Sequence, residues 1–321
     1  VISTNYEILK TADIIIICLP TPLKNNLPDL SFLEKAFSQI KKILKKKHVI
    51  ILESTVYPGV TRNLSKSYNK KFKVGKEIFV GYSPERENPG DKSFSYDKTP
   101  KLISGLTENC KKVVMKIYGG FTKNIVIVNS IEVAEMSKLL ENTYRSVNIS
   151  LVNEIKIICQ KLEIDVYDVI NAAATKNFGF QKFVPGPGVG GHCIPIDPFY
   201  LSWIAKKRGY HSKFIRAAGE ISKYVPIQIV RNIFQIMKKK KLPIKKILLI
   251  GVSYKPDVGD DRESPAFEIM NILKRKKVMF DYYDPYFEKL KIGRKNKMSL
   301  INIDFKPANI KKYDASLIIT D

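Results

Sequence analysis

Cysteine is scarce: four in 321 residues (Cys18, Cys110, Cys159 and Cys193), in dissimilar contexts and without framework spacing. That excludes a disulfide-stapled scaffold and fits a reduced, cytoplasmic protein. Histidine is scarcer still, with three, and no CxxC or HxxxH pair gives metal-ligand spacing. No uninterrupted apolar run approaches the ~20 residues of a membrane span, and the chain starts without a signal-peptide pattern. Acidic residues are few, 31 against 55 Lys and Arg, for a net charge of +24. The excess is mostly lysine spread through nearly every segment, and its short runs, 45–47 and 238–241, end amphipathic helical stretches where the helix dipole favours cations. With no RNP-like aromatic motif, zinc finger or helix-turn-helix signature, neither nucleic acid nor membrane is an expected partner. An anionic ligand accounts for the charge at least as well.

What is there is a 44% hydrophobic chain long enough for two or three domains. Residues 1–10 read as the tail of a helix. The β-branched run 12–19 reads as a buried parallel strand ending in Pro20-Thr21-Pro22. Asp29 can cap a helix that buries Phe32, Leu33, Phe37, Ile40 and Leu44. Strand 49–52 leads into Glu53-Ser54-Thr55, with a helix from near Val60, and strand 77–82 leads into Ser83-Pro84-Glu85. Short strands near 101–104 and 124–128 flank a helix near 108–118. The pattern is doubly wound α/β, with polar residues at the strand ends where open sheets bind ligands. No GxGxxG opens it, which implies a chain that starts after the usual first strand-turn-helix.

Residues 131–161 contain no Gly or Pro and read as one long helix, with Lys138 and Asn142 on one face. A solvated polar stripe is the plain alternative. Asp165 opens another helix. A second long helix follows Ser212, with Phe214, Ala218, Ile221, Val225, Ile229, Ile233 and Ile236 as its apolar positions and Pro226 expected to kink or restart it. Such a helix is either core or a dimer interface. From 246 the pattern resets into a second β-loop-α-β unit, again without GxGxxG, whose loop carries Lys255 and Arg262 at a helix N-terminus, a setting suited to phosphates. The last strand, 315–319, ends abruptly, so the C-terminus is expected to be incomplete too.

Between the long helices lies Pro185-Gly186-Pro187-Gly188-Val189-Gly190-Gly191-His192-Cys193-Ile194-Pro195-Ile196-Asp197-Pro198. Glycine permits positive φ and close backbone approach, and proline stiffens the flanks. So much constraint around one thiol points to a sulfur held accessible; a glycine-rich turn with a bystander cysteine is the alternative.

Together, Pro20-Thr21-Pro22, Glu53-Ser54-Thr55, Ser83-Pro84-Glu85, Lys138 with Asn142, the Gly190-Gly191-His192-Cys193 loop with Asp197, and Lys255 through Arg262 resemble the UDP-glucose/GDP-mannose dehydrogenase family across essentially the whole chain. The loop wording looks most like bacterial UDP-N-acetylglucosamine 6-dehydrogenases. The resemblance implies two Rossmann-like doubly wound domains joined by a central helical domain with long helices: 1–129 for NAD, without its first βαβ unit, 130–241 central and dimerising, and 242–321 for UDP. It implies NAD as cofactor and a four-electron oxidation of a UDP-sugar C6 alcohol through a thiohemiacetal and thioester on Cys193. By the same resemblance Lys138 and Asn142 stabilise an oxyanion and position water, Asp197 relays protons, Thr55 holds a water and Glu85 is an acid/base. Thr21, Thr55 and Arg262 face the cofactor. Glu85, Lys138, Asn142, Phe178, Phe180, Gly188, Gly190, Gly191, Arg216 and Lys255 contact substrate. UDP-N-acetylglucosamine is the expected substrate, with UDP-N-acetylmannosamine and UDP-glucose as alternatives, and a cytoplasmic homodimer through the long central helix, serving polysaccharide synthesis, is the expected form. An inactive UDP-sugar-binding fragment is the reading from another class.

Overall fold

A computed structural model of the chain describes residues 2–25, 27–87, 98–292 and 298–320. In chain order the elements are β1 (Ile14–Ile17), β2 (Leu23–Lys24), β3 (Leu27–Pro28), α1 (Ser31–Ile43), β4 (Val49–Leu52), α2 (Val60–Ser65), β5 (Phe79–Tyr82), β6 (Lys101–Gly105), α3 (Glu108–Tyr118), β7 (Ile125–Ile127) and α4 (Ile131–Leu162). They continue with α5 (Val166–Ala173), α6 (Asp197–Lys207), α7 (Lys213–Lys239), β8 (Lys246–Ile250), α8 (Pro265–Arg275), β9 (Met279–Tyr283), β10 (Lys289–Ile292), β11 (Met298–Ile301), α9 (Pro307–Ile310) and β12 (Ala315–Ile318). The chain divides into two compact units, residues 1–143 with 196–211 and residues 144–195 with 212–321, and the division falls inside α4.

Unit 1 is built on a sheet of order β1-β4-β5-β6-β7. Pairing is parallel from β1 through β5 and from β6 to β7, while β5 and β6 are antiparallel. The register Ile17↔Leu52↔Tyr82 aligns the ends of three parallel strands, so the loops carrying Thr21, Thr55 and Glu85 emerge along one sheet edge. β4 (Val-Ile-Ile-Leu) is buried at all four positions because both sheet faces are covered. On one face Leu33, Phe37 and Ile40 of α1 pack with Ile50, Leu52 and Val80; on the other Val114 and Tyr118 of α3 pack with Ile51 and Ile103. Each such aliphatic side chain taken from water contributes about 1.5–3 kcal/mol.

Unit 2 carries a parallel sheet of order β12-β8-β9. Its core joins Ile247, Leu249 and Phe280 to Ile269, Met270 and Leu273 of α8 and Val230 of α7. Ser264 begins α8 as its cap, its hydroxyl accepting from the Ala266 N–H, with Pro265 in the first turn. Among the described residues no helix is long and apolar enough to cross a membrane.

Several expectations are corrected. β1 buries only Ile15 and Ile17; Ile14 and Ile16 are exposed because β1 ends the sheet order, with β4 as its neighbour. Residues 6–11 form a 3₁₀ helix, with Asn5 as its cap. Phe32, Phe214 and Ile236 are exposed. α7 runs through Pro226 as one helix, and Ser212 occupies its N-cap position without a capping hydrogen bond. The antiparallel β10–β11 pair lay outside the expected pattern.

Candidate active site

In unit 1 the predicted residues gather at the carboxyl edge of the sheet and on the helices above it. Asn142 of α4 donates its amide to Asp197 at the start of α6, and both are buried. Burial pushes the Asp197 carboxyl up to about 6, against the pull of the Asn142 hydrogen bond and the Lys138 charge. A carboxyl that titrates near neutrality suits proton relay. Tyr200, one turn along α6, donates to the carbonyl of Thr21 (2.9 Å), and the Thr21 hydroxyl donates to the carbonyl of Thr55 (2.8 Å). The loops after β1 and β4 are thereby tied to the helix that carries Asp197. Glu85, after β5, accepts from the backbone N–H groups of Arg86 and Glu87 and from Lys101.

Glu135, on α4, lies one turn before Lys138 and two before Asn142 and is fully buried. It accepts from Gly59 N, Thr61 N and the Thr61 hydroxyl at 2.5, 2.9 and 2.7 Å, fastening the loop that follows Thr55 to α4. Burial outweighs these bonds and raises its pKa from 4.5 to about 7. The folded state therefore keeps a proton that the unfolded chain releases, so stability falls as pH rises from about 4.5 to about 7. Asp197 adds a similar fall between 3.8 and about 6. Glu135→Gln, less stable overall because its amide cannot accept from both partners, lacks this titration, so the wild-type advantage over it in denaturation midpoint should shrink as pH rises from about 4.5 to about 7. A difference that stays constant with pH would refute the assignment.

In unit 2 the cysteine loop rests on the loop after β8. Gly191 adopts φ +85° and its N–H donates to the Arg262 carbonyl (2.9 Å). A Cβ on Gly191 would stand 2.9 Å from the Tyr254 ring, and one on Gly190 would stand 2.6 Å from the Tyr254 Cβ. These two positions need glycine because the tyrosine ring is packed directly beneath them. Gly188 faces Pro265. Cys193, two residues beyond Gly191, is an exposed thiol. His192 is half-buried, and burial first, then Arg262, lowers its pKa. Asp260 grips the Arg262 guanidinium at 2.6–3.0 Å. Lys255 is half-buried, Phe178 and Phe180 are exposed on the segment before the loop, and exposed Arg216 pairs with Glu220 at 3.7 Å.

The predicted residues thus fall into two groups: Thr21, Thr55, Glu85, Lys138, Asn142 and Asp197 in unit 1, and Phe178, Phe180, Gly188, Gly190, Gly191, Cys193, Arg216, Lys255 and Arg262 in unit 2. Sequence reasoning missed Glu135, Tyr200, Lys101 and Tyr254. Tyr254 had a faint signal, an aromatic one residue before Lys255 in a loop already singled out. The others had none.

Residues 1–122 match the NAD binding domain of the UDP-glucose/GDP-mannose dehydrogenase family, 132–224 its central domain and 248–321 its UDP binding domain. A UDP-N-acetyl-D-glucosamine 6-dehydrogenase of Pseudomonas aeruginosa is 36% identical over 289 residues, which cover 88% of this chain and 68% of that protein. The chain belongs to this dehydrogenase family. Protein CapL of Staphylococcus aureus is 39% identical over 279 residues, covering 85% of this chain and 65% of its own length, so the chain spans about two thirds of these curated relatives. The structure of a UDP-D-ManNAc dehydrogenase from Pyrococcus horikoshii superposes with a TM-score of 0.88 at 31% identity, over 99% of this chain and 73% of that one.

The family's cofactor is NAD, and the carboxyl edge of the unit 1 sheet fits part of its site. Aligned parallel strand ends are where such sheets take dinucleotides, and there the Thr21 hydroxyl is buried with its proton committed to Thr55.

Proposed function

We propose that the protein is an NAD-dependent UDP-sugar 6-dehydrogenase acting on UDP-N-acetylglucosamine. The observation that carries this reading is the chemical selection among its four thiols. Cys110 and Cys159 are buried, and Cys18 is pushed up to about 11 by burial and the neighbouring Glu53 carboxylate. Cys193 alone combines exposure with a constrained glycine loop.

Bound at Thr21 and Thr55, with Arg262 also assigned to it, NAD would supply the acceptor for each of the two hydrides that leave C6. Oxidising the alcohol releases a hydride and a proton and leaves an aldehyde, which Asp197 serves by taking up the proton. An aldehyde carbon cannot pass on a second hydride until a nucleophile adds to it. Addition of the Cys193 thiolate forms a C–S bond and a hemithioacetal oxyanion, which Lys138 and Asn142 stabilise. Loss of the second hydride leaves a thioester. Water positioned by Thr55, with Glu85 managing its protons, cleaves the C–S bond to give the carboxylate and the free thiol.

The Gly188–Gly191 backbone, Lys255, Phe178, Phe180 and Arg216 are assigned to the sugar and the nucleotide. UDP-N-acetylmannosamine is the second reading, favoured by the Pyrococcus horikoshii likeness. We also assign a homodimer, supported by the exposed apolar stripe Tyr144, Leu151, Ile158 and Leu162 on α4.

The test is turnover of both UDP-sugars side by side. Two NAD reduced per UDP-N-acetylglucosamine, at a higher kcat/KM than for the mannosamine epimer, is the expected result. Faster oxidation of UDP-N-acetylmannosamine or UDP-glucose overturns the substrate, and no NAD reduction with any UDP-sugar overturns the activity. Light scattering on the same sample should give twice the subunit mass.

A further inference from the structure

The antiparallel strand β6 delivers a residue to the site that its parallel neighbours could not. Tyr82 of β5 pairs with Ser104 of β6. Three residues on from Tyr82 is Glu85, and three back from Ser104 is Lys101. β6 therefore starts at the sheet edge where β5 ends, and its first residue stands opposite Glu85. The Lys101 side chain is 5% exposed and its ammonium lies 3.0 Å from a Glu53 oxygen and 3.2 Å from Glu85 Oε2.

The surrounding groups favour the ionised form of Glu85. Its Oε1 accepts from the N–H groups of Arg86 (2.6 Å) and Glu87 (2.8 Å), and its Oε2 from Lys101. Donors on both oxygens, one of them a buried ammonium, favour the ionised carboxylate. The other charges nearby are already engaged: Arg86 pairs with Glu141 of α4 (2.8 Å) and donates to the Pro100 carbonyl, while Glu53 accepts from the Tyr118 hydroxyl of α3 and the Cys18 thiol. Glu53 is thus satisfied by three donors, and Lys101 is the buried cation that Glu85 shares with it.

We propose that Lys101 is a positioning residue for the reaction, holding Glu85 ionised and aimed so that Glu85 enters the cycle as a base. The proposal rests on the dehydrogenase reading above. Burial alone would lift the Glu85 pKa; Lys101 and the two backbone N–H groups bring it below its ordinary value. If Lys101 served only to glue two strand ends together, removing it would lower stability and leave the Glu85 titration where it was.

Infrared difference spectra of the cofactor-free protein, with the Glu85 carboxyl band assigned by its loss in Glu85→Gln, follow that titration directly. In Lys101→Met, Glu85 should protonate at least about one pH unit higher; Asp197 sets the upper part of the acidic kcat limb, so the added loss should appear below about pH 6 and grow towards about tenfold as pH falls, with little change on the alkaline side. Lys101→Arg should restore both, and Lys101→Gln, which keeps a donor in place for Glu53, should repeat the shift if the methionine variant does not fold. An unmoved Glu85 band in a folded variant, or a loss of activity equal at every pH, overturns the proposal. Should the wild-type protein oxidise no UDP-sugar, the functional reading fails, while the infrared titration still decides what Lys101 does to Glu85.

Discussion

On the proposed dehydrogenase reading, replacing Cys193 with serine should stop acid formation, with an expected loss of ~10³-fold or more in the rate of uronate release. The substitution keeps size and polarity, so the loop geometry that depends on Gly190, Gly191 and Tyr254 is preserved. What changes is the nucleophile: a serine hydroxyl is far less ionised at neutral pH than a thiol. Oxidation of the alcohol to the aldehyde has no need of the sulfur, so trapping with a hydrazine should reveal aldehyde in the variant. Uronate formation within tenfold of wild type would end the thioester mechanism. Retention of UDP affinity would show that the loop is intact.

The second large effect is on stability. Asp284 is 2% exposed, and its Oδ2 accepts from Val252 N (2.7 Å), Ser253 N (3.0 Å) and the Ser253 hydroxyl (3.1 Å), with Oδ1 accepting from Tyr286 N (2.9 Å). One side chain at the end of β9 thereby satisfies the turn after β8. Asp284→Ala strands these donors in a dry interior and should cost about 3–5 kcal/mol, since each buried donor left without a partner costs about 1–3 kcal/mol and water recovers part of the sum. Asp284→Asn should cost less, because the amide oxygen still accepts. Urea unfolding of the full chain checks this, and a loss under about 1 kcal/mol would show that the turn holds itself. Because Tyr254 follows Ser253 directly, the alanine variant should also weaken UDP binding by loosening the surface on which Gly190 and Gly191 rest.

These residues also mark where the sequence could and could not be read. α4 was legible because 32 residues without Gly or Pro leave few alternatives to one helix, and α5 because Asp165 caps it, accepting from Tyr167 N and Asp168 N. The glycine loop was legible as a constrained turn, since only a close neighbour requires two glycines together. Its neighbour, Tyr254, was not, because nothing local says which distant ring lies beneath. The direction of β6 was equally hidden: strands of either sense bury the same apolar residues, so Leu102 and Ile103 carry no mark of orientation. Lys101 was lost among the lysines of a basic chain, where one buried ammonium looks like any other. The exposure of Ile14 and Ile16 was missed because a run of isoleucines reads as buried on both sides, whether its strand lies at the centre or the end of a sheet. Of the kink or restart expected at the α7 proline, the restart does not occur. Pro226 is buried, and the long helix continues through it because the packing of its flanks, with Val225 and Val230 both buried, outweighs one missing backbone bond.

Unit 1 is assembled from two stretches of chain with 52 intervening residues, 144–195, belonging to the other unit. Tyr200 donates to a carbonyl 179 residues earlier in the chain. During synthesis, then, the first sheet leaves the ribosome well before the helix that completes its wall, and at about 5–20 residues per second that interval lasts several seconds. Through this interval Leu139, buried against Ile196 and Tyr200 in the finished unit, has neither partner available. The nascent chain accordingly passes through a stage with an open apolar face, and the cysteine loop is made before that face is closed. Chaperone dependence during translation, absent when the complete chain is refolded at high dilution, is the expected outcome of this chain order.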